Sequence, residues 1–348
     1  MLTTELTSVF RRQLELCRLG ANETVGLLTD VGTDPRIAAA TLAAAAELGS
    51  SAFELRLAHG PNVEVTGEDP LKAKPVLAAL RNTDLLLTTF VGFFAPWERA
   101  IREGGGRILN VLDTPDELAR LQGTPELKAA VLAARDRIAG GTVFHLSSDA
   151  GTDFTWTRDP KAEILAHYGF ADEPGQMDCW GQGMAAMFPV EGSAHGRVVI
   201  QPGDIWILPY ARLVNSPIEL QVDDGFITKI SGGGLDAQVF SYWLTSCQLS
   251  KDDKDPFAVS HLGWGMNPKA RWDDAVRYEH SMAKLNAGVR SYPGNFLFST
   301  GPGPQRSTKG HIDMPMCNCT LTVDGETIIN KGTLVDPAMI VDKRRAYH

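Results

Sequence analysis

The chain has 348 residues, a formal net charge of −9, and 43% hydrophobic and 22% charged residues. This length exceeds what one compact core usually holds, so two domains are expected. The acidic balance disfavours nucleic acid and anionic membranes as partners, because both would repel the chain. No segment approaches the roughly 20 consecutive apolar residues that cross a bilayer, so a membrane partner is not expected.

The first 140 residues alternate between patterns typical of helices and patterns typical of buried strands. The spacing predicts helices over 6–19, 35–49, 70–83, 96–105 and 124–140, and strands over 23–30, 51–58, 84–91 and 107–112. Strands that alternate with helices in this way form a parallel sheet with helices on both faces. We therefore predict an α/β N-terminal domain, residues 1–140.

Beyond residue 140 the pattern changes to short β segments separated by glycine-containing turns. Strand-like segments cover 142–148, 197–209, 218–233, 294–302 and 319–335, with one helical stretch at 235–248. Short strands punctuated by such turns are typical of antiparallel sheet. Residues 141–348 are therefore predicted to form an α+β catalytic domain that is rich in antiparallel sheet and carries a metal site.

Two glycine-rich segments lack the patterns of nucleotide-binding loops. Residues 102–107 do not have the GxGxxG spacing and follow a helix, whereas a dinucleotide-binding loop follows a strand. Residues 301–310 lack the spacing of a Walker loop. A nucleotide cofactor is therefore not expected.

The five cysteines are few, odd in number and scattered, without a CxxC pair. Together with an N-terminal segment that has no basic head before an apolar run, this usage favours a reducing cytoplasm. Cys317 and Cys319, in the segment CNC, are interpreted as alternating residues of one strand.

The segment KGHIDMPMCNC, residues 309–319, places His311 and Asp313 two residues apart. On a strand such residues project from one face. One imidazole and one carboxylate are two-thirds of the facial triad that binds Fe(II). Among the other histidines, His261 is the best candidate for a third ligand, because it stands in a Gly-Trp-Gly loop sequence. The spacing alone leaves a purely structural role open.

Several segments together resemble the 2,5-dihydroxypyridine 5,6-dioxygenases, which are relatives of the M29 aminopeptidases. They are SHLGWGMNPKARW, GNFLFSTGP, HIDMPMCNC, DAGTDF, YGFADEPG, PGDI and GFITKISGG. The resemblance covers most of residues 145–320, and the N-terminal half more loosely. It implies one Fe(II) per chain held by His261, His311 and Asp313. It also implies a ring-opening reaction that inserts both atoms of O2 into a small aromatic substrate, and a homo-oligomer.

The sequence departs from the family pattern at three positions. His167 stands where the family has a glutamate, Cys179 where it has a histidine, and Ala95 where a further histidine aligns. His167 is expected to act as a catalytic base, since its pKa is ordinarily near neutral. Cys179 is expected to be a catalytic donor or, equally, a small buried apolar residue. The ring is therefore left open between a dihydroxypyridine, a hydroxylated benzene and an aminophenol.

Other residues are expected to contact or orient the substrate. The apolar segments 90–97 and 177–188 are interpreted as pocket walls, with ordinary core as the alternative. Asp178 is a further candidate for an orienting carboxylate. The predicted substrate-binding residues are Glu173, Trp180, Phe298 and Ser299, of which Glu173 has a solvated loop charge as its alternative.

Two other functions compete with ring opening. An M29-type aminopeptidase would hold two metal ions, which needs several additional ligands, and only Asp204 offers itself as one. A binding protein without catalytic activity would have little use for an intact set of three ligands, because such groups are costly to bury without a metal.

Overall fold

A computed structural model describes residues 3–58, 71, 74–90, 95–209, 211–277 and 287–342 of the chain. Residues 91–94 of the predicted pocket segment lie outside the described residues. Within the described ranges the helices are α1 (Thr3–Leu16), α2 (Pro35–Glu47), α3 (Lys74–Arg81), α4 (Pro96–Glu103), α5 (Pro115–Arg120), α6 (Pro125–Gly140), α7 (Leu235–Ser246), α8 (Asp274–Arg277) and α9 (Ala287–Arg290). None of these helices combines the length and the apolar character needed to span a bilayer.

The strands number twenty in the same described ranges. They are β1 (Thr24–Asp30), β2 (Ser51–Leu57), β3 (Leu85–Thr88), β4 (Arg107–Asn110), β5 (Val143–Ser147), β6 (Asp153–Thr157), β7 (Leu165–His167), β8 (Met177–Cys179), β9 (Met184–Met187), β10 (His195–Ile200), β11 (Ile205–Trp206), β12 (Arg212–Leu213), β13 (Ile218–Asp223), β14 (Phe226–Ser231), β15 (Val259–Gly265), β16 (Phe296–Thr300), β17 (Ile312–Met316), β18 (Thr320–Val323), β19 (Glu326–Asn330) and β20 (Thr333–Leu334).

The chain divides into two compact units that differ from the predicted boundary at residue 140. The first unit comprises Met1–Thr124 and His167–Gln182, and the second comprises Pro125–Ala166 and Gly183–His348. Helix α6 contacts β9 and therefore belongs to the second unit. Strand β8 pairs with β4 and therefore belongs to the first. The alternation of helix and strand in the sequence stops near residue 140. The chain already passes from the first unit to the second after Thr124.

The first unit contains a five-stranded sheet in the order β2-β1-β3-β4-β8. Every neighbouring pair in it is parallel. All four residues of β3 and all four of β4 are buried, which is typical of parallel strands covered on both faces. The predicted α/β class of the N-terminal half is confirmed. Strand β8 was not predicted, because its three residues are too few to show a periodicity.

The second unit is built mainly from antiparallel sheet, as predicted. One sheet has eight strands in the order β14-β13-β10-β6-β5-β18-β19-β20, and another has five in the order β17-β16-β15-β9-β7. Aromatic side chains join them, since Phe154 on β6 lies 5.9 Å from Phe298 on β16, and Trp156 lies 5.6 Å from Phe296, ring centre to ring centre. These four side chains are fully buried and form part of the core.

Three neighbouring strands of the five-stranded sheet, β15, β16 and β17, position the predicted ligands. The register pairs Ser299 with Asp313 and Leu262 with Phe298. Between Val259 and Leu262 the register shifts, so that Ser260 and His261 lie opposite one residue of β16. Such a β-bulge inserts one extra residue into one strand and changes the direction of its side chains.

The interpretation of Cys317 and Cys319 as alternating strand residues is wrong. Strand β17 ends at Met316 and β18 begins at Thr320. Between them Asn318 has a φ of 57°, a left-handed conformation that asparagine tolerates better than most residues and that interrupts a strand. All five cysteines are free thiols, as the scattered spacing predicted.

Candidate metal centre

His261, His311 and Asp313 come together on one face of the five-stranded sheet. His261 lies on β15, His311 immediately precedes β17, and Asp313 is the second residue of β17. Because β16 runs between these strands, Ser299 sits opposite Asp313 and between the ligands of the two outer strands. The two-residue spacing of His311 and Asp313 therefore has the consequence expected of a strand, since both side chains reach the same point.

The distances define a tight cluster centred on one carboxylate oxygen. His261 Nε2 and His311 Nε2 each lie 3.2 Å from Asp313 Oδ1. One ligand atom from each of the three residues lies within 4.8 Å of the others. The side chains of His261 and His311 are only 14% and 16% exposed, and that of Asp313 is 2% exposed. Three donors thus converge in a largely desolvated place.

The protonation states favoured at this place are those of metal ligands. Burial lowers the pKa of His261 below its ordinary value, although the charge of Asp313 acts in the opposite direction, so the neutral imidazole is favoured. Burial acts to raise the pKa of Asp313, but the positive charge of Arg290 is the largest of the causes that hold that pKa well below its usual range. Neutral imidazoles and an ionised carboxylate are the forms that coordinate metals.

Ser260 offers a hydrogen-bond partner to Nδ1 of His261, the ring nitrogen that does not face the cluster. The hydroxyl of Ser260 donates to the carbonyl oxygen of Pro302. Its oxygen, 3.3 Å from His261 Nδ1, can then accept a hydrogen bond from Nδ1–H. With the proton on Nδ1, Nε2 would be unprotonated and able to ligate a metal ion. The ring also makes an edge-to-face contact with Phe188, at 6.0 Å between ring centres.

Two side chains hold Asp313 in place. Ser299 donates to Oδ1 of Asp313, and its hydroxyl lies 2.9 Å from His261 Nε2. Arg290 binds the other oxygen, Oδ2, through Nε and Nη2 at 2.6 Å each. The backbone of Asp313 exchanges two hydrogen bonds with Ile207. Arg290 was missed in the sequence, because nothing around it marks an arginine as buried.

The predicted substrate residues of β16 face opposite ways. Ser299 belongs to the metal-binding face, as described above. Phe298, its neighbour, packs in the core against Phe154, because successive residues of a strand alternate between faces. We therefore assign Phe298 to the core rather than to a substrate pocket. Thr300 also has a structural role, since its hydroxyl donates to Gly310 O and accepts from Ile312 N at the entrance to β17.

The remaining predicted site residues belong to the first unit. His167 is buried, with Nδ1 3.6 Å from Asp178 Oδ1. The Asp178 carboxylate is fully buried and accepts hydrogen bonds from the amides of Tyr168, Gly169 and Cys179. Asp178 therefore orders the turn around His167, and it was considered in the sequence only as a substrate-orienting group.

Two of the other predicted site residues, Cys179 and Trp180, are buried, whereas Glu173 is exposed. Cys179 is fully buried on β8, where the amide nitrogen of Asn110 lies 3.4 Å from its sulfur. Trp180 is a core residue that donates from Nε1 to Leu118 O and contacts Phe10 edge to face. Glu173 is exposed and forms an ion pair with Arg18, which matches the alternative of a solvated charge. Ala95 is buried at the start of α4. Contact of these residues with substrate stays a prediction.

Asp204 is the one extra ligand considered for a second metal ion, and both of its carboxylate oxygens accept hydrogen bonds from backbone amides. The predicted strand 197–209 is interrupted at a turn, where Asp204 Oδ2 accepts from Gln201 N at 2.7 Å. Its Oδ1 accepts from Cys317 N at 2.8 Å. Within the described part of the chain, the one group of three or more histidine, cysteine or acidic residues placed to share a metal ion is His261, His311 and Asp313.

Asp204→Asn is expected to change how stability depends on pH. Burial raises the pKa of Asp204 to about 6, against 3.8 for an unperturbed aspartate. The unfolded chain therefore loses this proton near pH 4 and the folded chain only near pH 6, so the wild type loses stability as the pH rises through that range. The loss is about 3 kcal/mol at 1.36 kcal/mol per pKa unit.

Urea unfolding of the wild type and of Asp204→Asn at pH 4 to 7 tests this prediction. The variant also loses one of the two acceptors, which lowers stability by a similar amount at every pH. The readout is therefore the difference between the two proteins, which should shift in favour of the variant between pH 4 and 6. A difference that does not change with pH would contradict the raised pKa.

Comparison with known proteins decides the family. A family model described as NicX, 2,5-dihydroxypyridine 5,6-dioxygenase, matches residues 5–336. The chain belongs to the 2,5-dihydroxypyridine 5,6-dioxygenase family. A curated member of this name from Pseudomonas putida KT2440 is 32% identical, and the alignment covers 96% of this chain and 97% of that protein. The family resemblance drawn from the sequence is thus confirmed.

Solved structures agree with this family and extend the fold comparison. The structure of 2,5-dihydroxypyridine dioxygenase from Pseudomonas putida KT2440 superposes with a TM-score of 0.89 at 30% identity, covering 97% of this chain and 99% of that chain. Wild-type AmpT from Thermus thermophilus matches with a TM-score of 0.59 at 10% identity, covering 95% and 99%. At that identity the likeness concerns the fold alone, which is M29 aminopeptidase-like, as the sequence predicted.

Proposed function

We propose that this chain is an Fe(II)-dependent dioxygenase that opens the ring of 2,5-dihydroxypyridine, or of a closely related hydroxylated ring, with O2. Membership of the family supports the ring-cleaving reaction class. The convergence of His261, His311 and Asp313 on one point supports the metal, and it is the observation that carries the proposal. Since each chain contributes one such cluster within its described residues, one ion per chain is proposed.

The donor set fits ferrous iron. Two imidazole nitrogens and one carboxylate oxygen form the facial triad of non-haem Fe(II) oxygenases, in which other coordination positions stay open. Ferrous iron held there would supply redox chemistry, passing electron density between an electron-rich ring and O2. The protein groups around it would orient the ligands: Ser260 offers an acceptor to His261 Nδ1–H, and Ser299 donates to Asp313.

The reaction also needs a base that removes a proton from a substrate hydroxyl. We assign this role to His167, because the family resemblance implies a catalytic residue at this position and a neutral imidazole can accept a proton. The carboxylate of Asp178, 3.6 Å away, would stabilise the imidazolium that forms. Cys179 is proposed to assist in orienting the ring. A homo-oligomeric state and a cytoplasmic location remain predictions of the sequence.

His167→Ala is expected to slow ring opening while leaving the metal bound. Loss of a positioned general base typically lowers the rate by about 10²–10⁴-fold. Steady-state oxygen uptake and iron content per chain measure the two effects separately. His145→Ala is the matched control, since it removes an exposed imidazole that bonds Asp153. An unchanged rate in His167→Ala would remove the proposed role as base.

The function itself is tested with protein purified anaerobically and loaded with Fe(II). Oxygen uptake would be followed with 2,5-dihydroxypyridine and with a panel of other hydroxypyridines, hydroxypicolinates, hydroquinones and aminophenols. The expected result is one iron per chain and consumption of one O2 per ring opened. Uptake with a different ring would keep the reaction class and change the substrate, whereas no uptake with any of them would overturn the proposal.

The competing aminopeptidase activity makes a different prediction. Two metal ions per chain and hydrolysis of peptides, without oxygen uptake, would be its result. The commitment of Asp204 to two backbone amides speaks against a second metal ion at that residue. Elemental analysis of the loaded protein therefore separates the two functions before any substrate is tried.

A further inference from the structure

Arg290 has an arrangement with Asp313 that differs from an ordinary ion pair. The arginine is buried, at the end of α9, and its Nε and Nη2 both lie 2.6 Å from the same oxygen, Asp313 Oδ2. An arginine that only pairs with a carboxylate commonly binds both oxygens, one with each arm of its fork. Here the second oxygen, Oδ1, is left to face His261 and His311.

We propose that Arg290 is a positioning residue that restricts Asp313 to one ligating oxygen. A carboxylate can offer a metal one oxygen or two. Two short charge-assisted hydrogen bonds occupy Oδ2, while Oδ1, which accepts from Ser299, lies at the point where the imidazole nitrogens converge. A carboxylate limited in this way leaves one more coordination position for substrate and O2. The inference deepens the proposed function and rests on it for that last step.

The charge of Arg290 has a second consequence. The guanidinium offsets the charge of Asp313, because the two groups form a buried ion pair. A divalent ion bound at this cluster would therefore keep more of its positive charge than an unpaired carboxylate would leave it. Such a centre favours substrates that bind as anions, which is the chemistry of a ring with an acidic, deprotonated hydroxyl group.

The chain holds Arg290 in place through Asn295. The amide nitrogen of Asn295 donates to Val289 O and Arg290 O, at 3.3 and 3.1 Å. Its amide oxygen accepts from Gly265 N, at the end of β15, at 2.8 Å. One buried side chain thus ties the segment that carries Arg290 to the strand that carries His261. Outer groups fixed in this way are what give a metal ligand a defined orientation.

The test is the absorption spectrum of Co²⁺ bound to the full-length protein, without substrate or O2. In Arg290→Met the second oxygen of Asp313 becomes available, so the visible bands of Co²⁺ should lose intensity as the coordination number rises. Arg290→Lys keeps a cation beside Oδ2 and should restore most of the wild-type intensity. Arg197→Met, at an exposed arginine paired with Glu219, should keep the wild-type spectrum and serves as the control.

A wild-type Co²⁺ spectrum in Arg290→Met would overturn the proposal. If that variant does not fold, Asn295→Ala takes its place, because it keeps the guanidinium but removes the hydrogen bonds that hold the backbone of Val289 and Arg290. A weakened spectrum in Asn295→Ala would then support the proposal, and an unchanged one would overturn it. These measurements need no turnover, so a failure to oxidise any ring would count against the proposed function and not against the role of Arg290.

Discussion

Replacing His261 with alanine is expected to remove tight metal binding and to abolish turnover. His261 supplies one of three donors, and its nearest neighbours in the cluster, Ser299 and Asp313, cannot replace an imidazole. Loss of a residue that only supports a ligand commonly costs 10–100-fold in metal affinity, so loss of the ligand itself should cost at least about 100-fold. Anaerobic titration calorimetry with Fe(II) measures the affinity, and oxygen uptake measures the turnover.

The matched control is His195→Ala. This histidine is exposed, and its ring nitrogen bonds the backbone oxygen of Ser193, away from any metal-binding group described. The control should bind Fe(II) as the wild type does. Wild-type affinity in His261→Ala, with the fold intact by circular dichroism, would mean that the three converging donors are an ion-pair network and not a metal centre.

Replacing Gly263 with alanine is expected to destabilise the second unit and to weaken metal binding. Gly263 lies on β15, two residues beyond His261, and pairs with Ala186 on β9. A Cβ at this position would meet the backbone oxygen of Ala185 at 2.2 Å and the Cβ of Ala186 at 2.6 Å. A backbone atom cannot turn aside as a side chain can, so the strands must separate.

Overpacking of this kind costs roughly 1–3 kcal/mol, and the approach to backbone places Gly263→Ala at or above the upper end. Urea unfolding gives the stability, and calorimetry with Fe(II) shows whether His261 has moved with its strand. Gly140→Ala is the control, because a Cβ there meets nothing within 4 Å. It should leave stability unchanged or raise it by up to about 1 kcal/mol, because alanine restricts the unfolded chain more than glycine does. Equal stabilities for the two variants would show that β15 and β9 separate without cost.

The sequence allowed the parts of the site that depend on local geometry to be predicted. His311 and Asp313 share a face because a strand has a period of two, and no other information is needed. The same rule applied to Phe298 and Ser299 would have shown that only one of them can face the metal.

Other parts depend on contacts that no local pattern shows. Arg290 is 23 positions away from Asp313 in the chain, and only the packing of α9 brings the two together. Strand β8 joins the parallel sheet by pairing with β4, nearly 70 residues earlier in the chain, so that Asn110 lies opposite Cys179. The commitment of Asp204 to Cys317 is of the same kind. These contacts are set by tertiary packing, and sequence periodicity does not record them.

The extra residue in β15 links the length of a strand to the chemistry of its histidine. In a regular strand Ser260 and His261 would point to opposite sides, whereas here both lie against one residue of β16. A strand shortened by one position would keep the imidazole turned towards the carboxylate but would lose the hydroxyl behind it. Whether Nδ1 of His261 has a hydroxyl partner therefore depends on how many residues the strand contains, as well as on which residues they are.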